Sequence, residues 1–536
     1  MTTDTDVTPD PGAAPPAAAP EPACPLAEIV DGMADRTGSR LFFHGPSGPE
    51  EATFARCRAD AGVLAEALRG AGVGPGSRVA VHGATGIEWV LADLACTIAG
   101  ALSVALYSTA PVPRAVAAAV ESRCVLALTD RAEAVPAFQE AGLTVLFLGP
   151  VGSGDGAGVA SVGDLVAAGA DEGFRPAHRR TGPFTVVSTS GTLSEPKLFA
   201  VHADPLLFTM DRFAEIYGID GRDRLLLYLP LSHLPQRMML YWGLRTGLDF
   251  VLSDPARFVA DTARYDPTLH VTVPRVLEHL HGRAAAAGAP APAAAVAAML
   301  GSSVRSVFVG SAPTPPALMA ELLDAGIPLY EVYGTTELGM IGLNTPEARK
   351  PGTVGRPIPW GRVRLDVTTR EILVRTPTPF LYGRLVDGRV ERRSWDPQRY
   401  EPTADAGSFD AQGHLTVLGR TRDFVALGSG EKVFVRPIEE AVAAATGAGL
   451  CQVGLRPDGR LGALLFFEHP DPARPPLGEV LTTVNGAVPG WERIRSYAVV
   501  DRMPTVEEGC LTETTKPRRH AIDEIHGRGA TWVAVR

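Results

Sequence analysis

Apolar residues recur along this chain in two rhythms. Between about Leu26 and Asp171, some stretches repeat them every three or four residues, and others gather them in short unbroken runs. Ala59 to Gly70 (ADAGVLAEALRG) shows the first rhythm and closes on a glycine, which predicts a helix with its stop signal. Val79 to His82, Cys124 to Leu128 and Val145 to Leu148 show the second and predict buried strands. The longest apolar stretch runs from Leu94 to Tyr107, preceded by Asp93. A membrane span needs about 20 residues, so this shorter stretch predicts a buried helix running into a strand. Helices alternating with such strands imply parallel sheets with helices on their faces.

The pattern changes near Pro346. From Gly352 to Leu418 short strands are separated by Gly, Pro and Asp, and from Val433 to Thr446 onward mixed helix and strand return. A boundary at Gly419 to Arg422 divides residues 26–419, a large domain, from residues 420–536, a small one. Residues 1–25 are rich in Pro and Ala and predict a disordered tail, because such residues bury too little surface to offset ordering entropy. Gly152 to Gly158 and Ala284 to Ala298 have the composition of surface linkers, or in the second case of an Ala-rich helix.

Composition narrows the class. Of 536 residues, 45% are apolar and 21% charged, as in a soluble α/β protein with a large core. The net charge of −10 argues against a nucleic-acid partner, which needs a basic face. The six cysteines, at 24, 57, 96, 124, 451 and 510, show neither zinc-ligand spacing nor a disulfide framework, so a cytoplasmic location is expected. The first 25 residues lack the basic and apolar regions of a signal peptide, and no integral membrane span is expected. Lysine is more informative: among 50 basic residues only Lys197, Lys350, Lys432 and Lys516 are lysines. Where arginine serves almost everywhere, a surviving lysine marks either chance retention or a position that needs a compact ammonium on a flexible stem.

Four segments carry candidate chemistry. Ser188-Thr-Ser-Gly-Thr-Leu-Ser-Glu-Pro-Lys197 follows the apolar run Phe184 to Val187. Hydroxyls, a glycine and a lysine after a strand suit phosphate oxygens, although the same composition describes an ordinary polar loop. It is not a Walker loop, since no Gly directly precedes Lys197 and no Ser/Thr follows it. Glu331-Val-Tyr-Gly-Thr-Thr-Glu337 offers a ring for stacking on a base, a hydroxyl for a phosphate and a carboxylate for a hard cation; alone it also reads as a turn with a surface acid. Thr403-Ala-Asp-Ala-Gly407 supplies an acid for a ribose diol, ahead of Gly419-Arg420-Thr-Arg-Asp423. Leu511-Thr-Glu-Thr-Thr-Lys516-Pro-Arg-Arg519 lies near the C-terminus.

In this order, the segments resemble the adenylate-forming superfamily of acyl-CoA synthetases, peptide-synthetase adenylation domains and luciferases, over about residues 35–525. Ser103-Val-Ala-Leu-Tyr-Ser-Thr109, Tyr228-Leu-Pro-Leu-Ser-His-Leu-Pro-Gln-Arg237, Val273-Pro-Arg-Val276 and the Thr-x-x-x-Lys-x-Arg-Arg ending are similar to its long-chain acyl-CoA ligases. The resemblance implies an α/β fold: flanked β-sheets plus a small β-barrel subdomain in the large domain, and a small mobile α+β C-terminal domain. It implies a carboxylic acid attacking the α-phosphate of Mg-ATP, then CoA displacing AMP after the small domain rotates. Tyr333 and Gly334 then belong to the adenine site, with Gly310, Ser311 and Ala312 as its wall and Glu331 beside it. Thr336 contacts the α-phosphate, Glu337 holds Mg²⁺, and Asp405 takes the ribose with Arg420 at its side. Thr189, Ser190, Gly191, Thr192 and Lys197 hold the outer phosphates. Lys516 bridges carboxylate and α-phosphate, His233 covers the mouth of the acyl pocket, Arg422 is the hinge, and Gly428 to Gly430 line the CoA path.

The phosphate loop departs from the family pattern, which is close to Thr-Ser-Gly-Thr-(Thr/Ser)-Gly-x-Pro-Lys-Gly. Leu193 replaces a hydroxyl, Ser194 the second glycine and Leu198 the last, while Ser188 stands where an aromatic usually does. A non-Gly residue forced to positive φ costs on the order of 1–2 kcal/mol, and a lost charge-assisted bond roughly 1.5–3 kcal/mol. Both losses fall on ATP binding and the first half-reaction. The expected function is therefore an acyl-CoA ligase for a large apolar acid, fatty or polycyclic, with a role in natural-product biosynthesis suggested by the Arg/Ala/Gly/Pro bias. An enzyme that only converts preformed acyl-adenylates to thioesters, an amide ligase, and a non-catalytic adenylate-binding protein remain the alternatives.

Overall fold

Buried runs flanked by amphipathic helices condense into two large sheets in a computed structural model that describes residues 25–154, 157–169, 182–189, 197–421, 424–427, 432–472, 474–512 and 516–535. The expected tail, up to residue 24, lies outside the described residues. The first sheet runs in the order Arg389–Arg392, Leu381–Val386, Lys197–Val201, Thr185–Thr189, Leu102–Leu106, Arg78–His82, Leu126–Thr129 and Thr144–Phe147. Its last five strands pair in parallel, and the first three are antiparallel additions. The second sheet has a parallel centre, with Asp249–Leu252, Arg224–Leu227, Leu269–Thr272, Ser306–Val309 and Leu329–Thr335 side by side.

The predicted elements fall close to their places. The helix expected from Ala59 begins at Phe54, because the Thr53 hydroxyl caps it by accepting from the Arg56 N–H at 3.2 Å. Leu94 to Tyr107 is a helix end running into a strand, within Ile87–Ile98 and Leu102–Leu106. Ala284 to Ala298 is helical rather than a linker, ending Pro274–Ala286 and opening Pro292–Leu300. No helix among the described residues is long and apolar enough to cross a membrane.

The region from Gly352 to Leu418 divides in two, which its sequence pattern does not show. Arg362–Leu365, Glu371–Arg375, Glu401–Phe409 and Leu415–Arg420 form a four-stranded antiparallel sheet. The hairpin Leu381–Val386/Arg389–Arg392 instead leaves that sheet and pairs with Lys197–Val201, with Arg384 opposite Phe199 and Leu385 opposite Leu198. Beyond Phe424, apolar side chains gather in clusters of their own, around Ile438, Val442, Val453 and Leu481 and around Phe466 and Ile522.

A buried ionic network ties the first sheet to its covering helices. Arg237, on the helix Leu234–Thr246, donates to Asp93 at 2.7 and 2.9 Å, to Thr185 at 2.7 Å and to Ser103 at 3.0 Å. The Tyr241 hydroxyl donates to Asp93 at 2.7 Å, and the guanidinium lies near the rings of Trp89 and Phe184. Both charged side chains are essentially inaccessible to solvent. Such a charge is tolerated inside only because its partners are fixed around it.

Candidate functional site

The strand Leu329–Thr335 emerges from the second sheet and turns back through Gly339–Leu343. The turn is closed by the Leu338 N–H donating to the Thr335 hydroxyl at 3.0 Å. The register slips between Tyr333 and Gly334, and a Cβ at Gly334 would stand 2.6 Å from the Gly339 carbonyl oxygen. Glycine is therefore required there by close approach of two backbones. The slip sends Tyr333 toward the four-stranded sheet, where its hydroxyl donates to Asp405 Oδ2 at 2.7 Å. Burial, then the Asp405 charge, push the Tyr333 hydroxyl well above its ordinary titration range, so it remains a donor.

Asp405 is aimed by its own strand. Ala404 before it adopts φ 61°, its N–H donating to Glu371 and its carbonyl accepting from Thr421. Asp405 and Arg420 are cross-strand partners, and Arg420 Nε lies 3.2 Å from Asp405 Oδ1. The carboxylate thus has one oxygen on Tyr333 and the other on Arg420.

The opposite wall is the turn after Ser306–Val309. Ser311 sits at φ 69°, the left-handed region that disfavours side chains, and its hydroxyl lies 3.4 Å from His233 Nε2. His233 is the residue before the helix Leu234–Thr246. Burial, and secondarily the charge of Lys516, lower its pKa to about 4, so the ring is neutral at physiological pH. Lys516, in the C-terminal segment, is tied to Thr512 by two hydrogen bonds: Thr512 N donates to the Lys516 carbonyl at 2.8 Å and Lys516 N to the Thr512 hydroxyl at 3.0 Å. Thr512 is fully buried, which anchors this contact. Burial, then the charges of Arg420 and Arg436, lower the Lys516 pKa, while Asp405 opposes them. Lys516 therefore shares one charge environment with His233, Asp405 and Arg420.

Glu331 lies behind the turn that follows Ser306–Val309. It is buried beneath the Gly310–Thr314 turn, where Oε1 accepts from the Thr314 N–H at 3.2 Å. Burial raises its carboxyl to about 8, so it is largely protonated at neutral pH. It supports the wall from behind.

Thr336 and Glu337 lie on the turn beyond Tyr333, half-buried, and the Glu337 carbonyl accepts from the Phe380 and Leu381 N–H groups at 3.1 and 3.0 Å. Beyond them an open cleft of about 370 Å³ is lined by Lys197, Phe199, Glu337, Leu381, Arg384, Glu391, Arg392 and Arg393. Thr189 ends its strand; Ser190, Gly191, Thr192, Arg422 and Gly430 lie outside the described residues. Leu198 needs no strained backbone. It is a buried strand residue between Ser188 and Leu385, so the feared cost of the missing glycine does not arise at that position.

Of the four lysines, Lys197 and Lys516 reach the site, Lys350 makes an exposed ion pair with Asp410 at 2.6 Å, and Lys432's side chain lies outside the described atoms. The arginine hairpin carried no signal in a single sequence. Arg237 lay inside a quoted motif, but its partner Asp93 is 144 residues away.

The chain is similar to known proteins in sequence and in fold. A long-chain-fatty-acid–CoA ligase of Mycobacterium bovis is 25% identical over 513 residues, covering 81% of this chain and 84% of its own. An indoleacetate–CoA ligase of Aromatoleum aromaticum is 27% identical over 351 residues, covering 61% of this chain and 65% of its own. Among solved structures, an anthranilate CoA ligase in complex with anthranoyl-AMP superposes with TM-score 0.77 at 19% identity, over 94% of this chain and 97% of that one. An amide bond synthetase from Marinactinospora thermotolerans superposes with TM-score 0.74 at 24% identity, over 93% and 99%. Residues 31–378 match the AMP-binding enzymes as a family, and this chain belongs to that family.

Proposed function

We propose that the chain is an acyl-CoA ligase that activates a large apolar carboxylic acid as its acyl-adenylate and transfers it to CoA. The observation that carries this reading is the position of Lys516, in the same charge environment as Asp405, Arg420 and His233. A point charge in that environment suits a meeting of carboxylate and α-phosphate, because cancelling the repulsion of two anions is what the first step demands. An enzyme limited to preformed adenylates would have no use for it.

The other residues take roles their chemistry suits. The Tyr333 ring presents a face for adenine, and Asp405, already a double acceptor, exchanges its contacts for the ribose hydroxyls. Thr336 supplies a hydroxyl to the α-phosphate. Glu337 suits Mg²⁺, being a hard oxygen donor with no ion-pair partner among the described residues. When bound, Mg²⁺ neutralises phosphate charge. Neutral His233, backed by Ser311, covers the carboxylate of the acid without competing for it as a cation. The expected hinge residue Arg422 and the expected CoA-path residues Gly428 to Gly430 lie outside the described residues.

The apolar acid is supported by the Tyr228–Arg237 and Val273–Val276 segments, and by relatives named for a long-chain fatty acid and for indoleacetate. Acid-dependent ATP–pyrophosphate exchange, measured beside thioester formation across fatty and aromatic acids, tests the reading. Exchange and thioester with an apolar acid are expected. Thioester formation from synthetic adenylate without exchange, or product with an amine but none with CoA, would replace it.

A further inference from the structure

The register of the first sheet places one row of side chains along the open cleft. Lys197 and Phe199 are two apart on their strand and share a face. Arg384 is the cross-strand partner of Phe199, and Glu391 is the partner of Arg384. The row therefore reads Lys197, Phe199, Arg384, Glu391 from the loop exit to the sheet edge, with Glu337 across the cleft.

The cations of this cleft are not equivalent. Arg393 is bound to Glu401 at 2.5 Å and lies over the Trp395 ring, and Arg392 lies over the Tyr382 ring. Arg384 and Lys197 have no ion pair or hydrogen-bonded partner for their charged groups among the described residues. Two such cations beside an uncommitted carboxylate form a site for a polyanion that carries a divalent cation.

We propose that Arg384, at the cleft's edge, adds a charge-assisted contact to the outer phosphates of ATP, in compensation for the hydroxyl that Leu193 lacks. The proposal rests on the acyl-adenylate reading. In the step concerned, a carboxylate oxygen forms a bond to the α-phosphorus while the bond from that phosphorus to the α,β-bridging oxygen breaks. The electron pair leaves with pyrophosphate. Arg384 faces this departing charge with two N–H groups in a fixed fork, which suits paired phosphate oxygens better than a single ammonium does. A sequence that has lost a hydroxyl at Leu193 is thereby compatible with ATP use, because a neighbouring hairpin adds a cation.

Calorimetric titration of the full-length protein with inorganic pyrophosphate, in the presence of MgCl₂, tests the assignment. Arg384→Gln is expected to weaken pyrophosphate binding roughly 10- to 100-fold, the loss of a charge-assisted contact, and to raise the KM for ATP in parallel. AMP, which lacks both outer phosphates, should bind the variant as it binds the parent, and this also shows that the variant is folded. Arg384→Lys should recover part of the loss. Equal pyrophosphate affinity in parent and Arg384→Gln overturns the role of Arg384 while leaving the adenylate reading standing. Failure of the parent to bind AMP removes that reading and this one together.

Discussion

The two ends of the cleft are built on opposite plans. At the proposed nucleoside end the polar groups around Tyr333 hold one another: the tyrosine hydroxyl holds one oxygen of Asp405 and Arg420 holds the other. At the proposed phosphate end the charged groups of Lys197, Arg384 and Glu337 line an open cleft with no ion-pair partners among the described residues. On the proposed reading, a neutral, flat ligand at the first end replaces contacts that already exist. The second is charged and waiting, so its ligand must bring compensating charge. Shape is recognised where the protein is wired, and charge where it is not.

The phosphate end is nevertheless held from below. Arg237 reaches Thr185 at the start of the strand that leads toward the altered loop, and its own helix begins one residue after His233. Removing one partner of this buried pair strands the other, which costs about 3–5 kcal/mol. Arg237→Met should therefore lower the denaturation midpoint by an amount equivalent to several kcal/mol. The double variant Asp93→Leu/Arg237→Met should recover much of that. Chemical denaturation of the two variants tests this; a single variant as stable as the parent would show that the phosphate end does not depend on the network.

Lys516 joins the two ends, so its loss should separate them. Lys516→Ala is expected to reduce acid-dependent pyrophosphate exchange about 10²–10³-fold, the usual effect of deleting one group that stabilises transition-state charge. Thioester formation from synthetic adenylate should fall far less. Parallel loss of both half-reactions would mean that Lys516 acts on the fold rather than on the first step.

How much of this was legible depends on the distance between partners. The parallel sheets follow from local pattern, and the strand expected at Val79 to His82 came out as Arg78–His82. The Tyr333 and Glu337 segment could be picked out because its residues are contiguous. The hairpin at Leu381–Val386 could not be placed, since its pairing with Lys197–Val201 spans almost 200 residues and nothing local sets that register. The burial of Glu331 under Thr314 was illegible for a related reason: it is a tertiary contact that the local motif does not show.

Glu331 gives a smaller, pH-dependent test of the wired end. Its folded value of about 8 lies above the ordinary 4.5, so the folded state holds this proton more tightly than the unfolded chain does. The associated stability is fully present below pH 4.5 and is lost as pH rises from there to about 8. Inside that window the slope is about 1.4 kcal/mol per pH unit. Glu331→Gln keeps the acceptor for Thr314 but removes the titration. Its stability relative to the parent should rise steadily from pH 5 to 8, and a constant difference would contradict a buried, protonated acid.

The smallest expected effect concerns His233, where the two ends meet the acid. Its value near 4 has burial as the main cause and the Lys516 charge as the second. Histidine-labelled NMR of the parent should therefore show no titration of this ring between pH 5 and 7. In Lys516→Ala the second cause is gone while the first remains. The titration should then move upward yet stay below the ordinary histidine value of 6.5. A shift all the way to 6.5 would mean that the ring is solvated and leaves the acid's pocket unsealed. No shift at all would place Lys516 too far away to bridge the acid and the nucleotide.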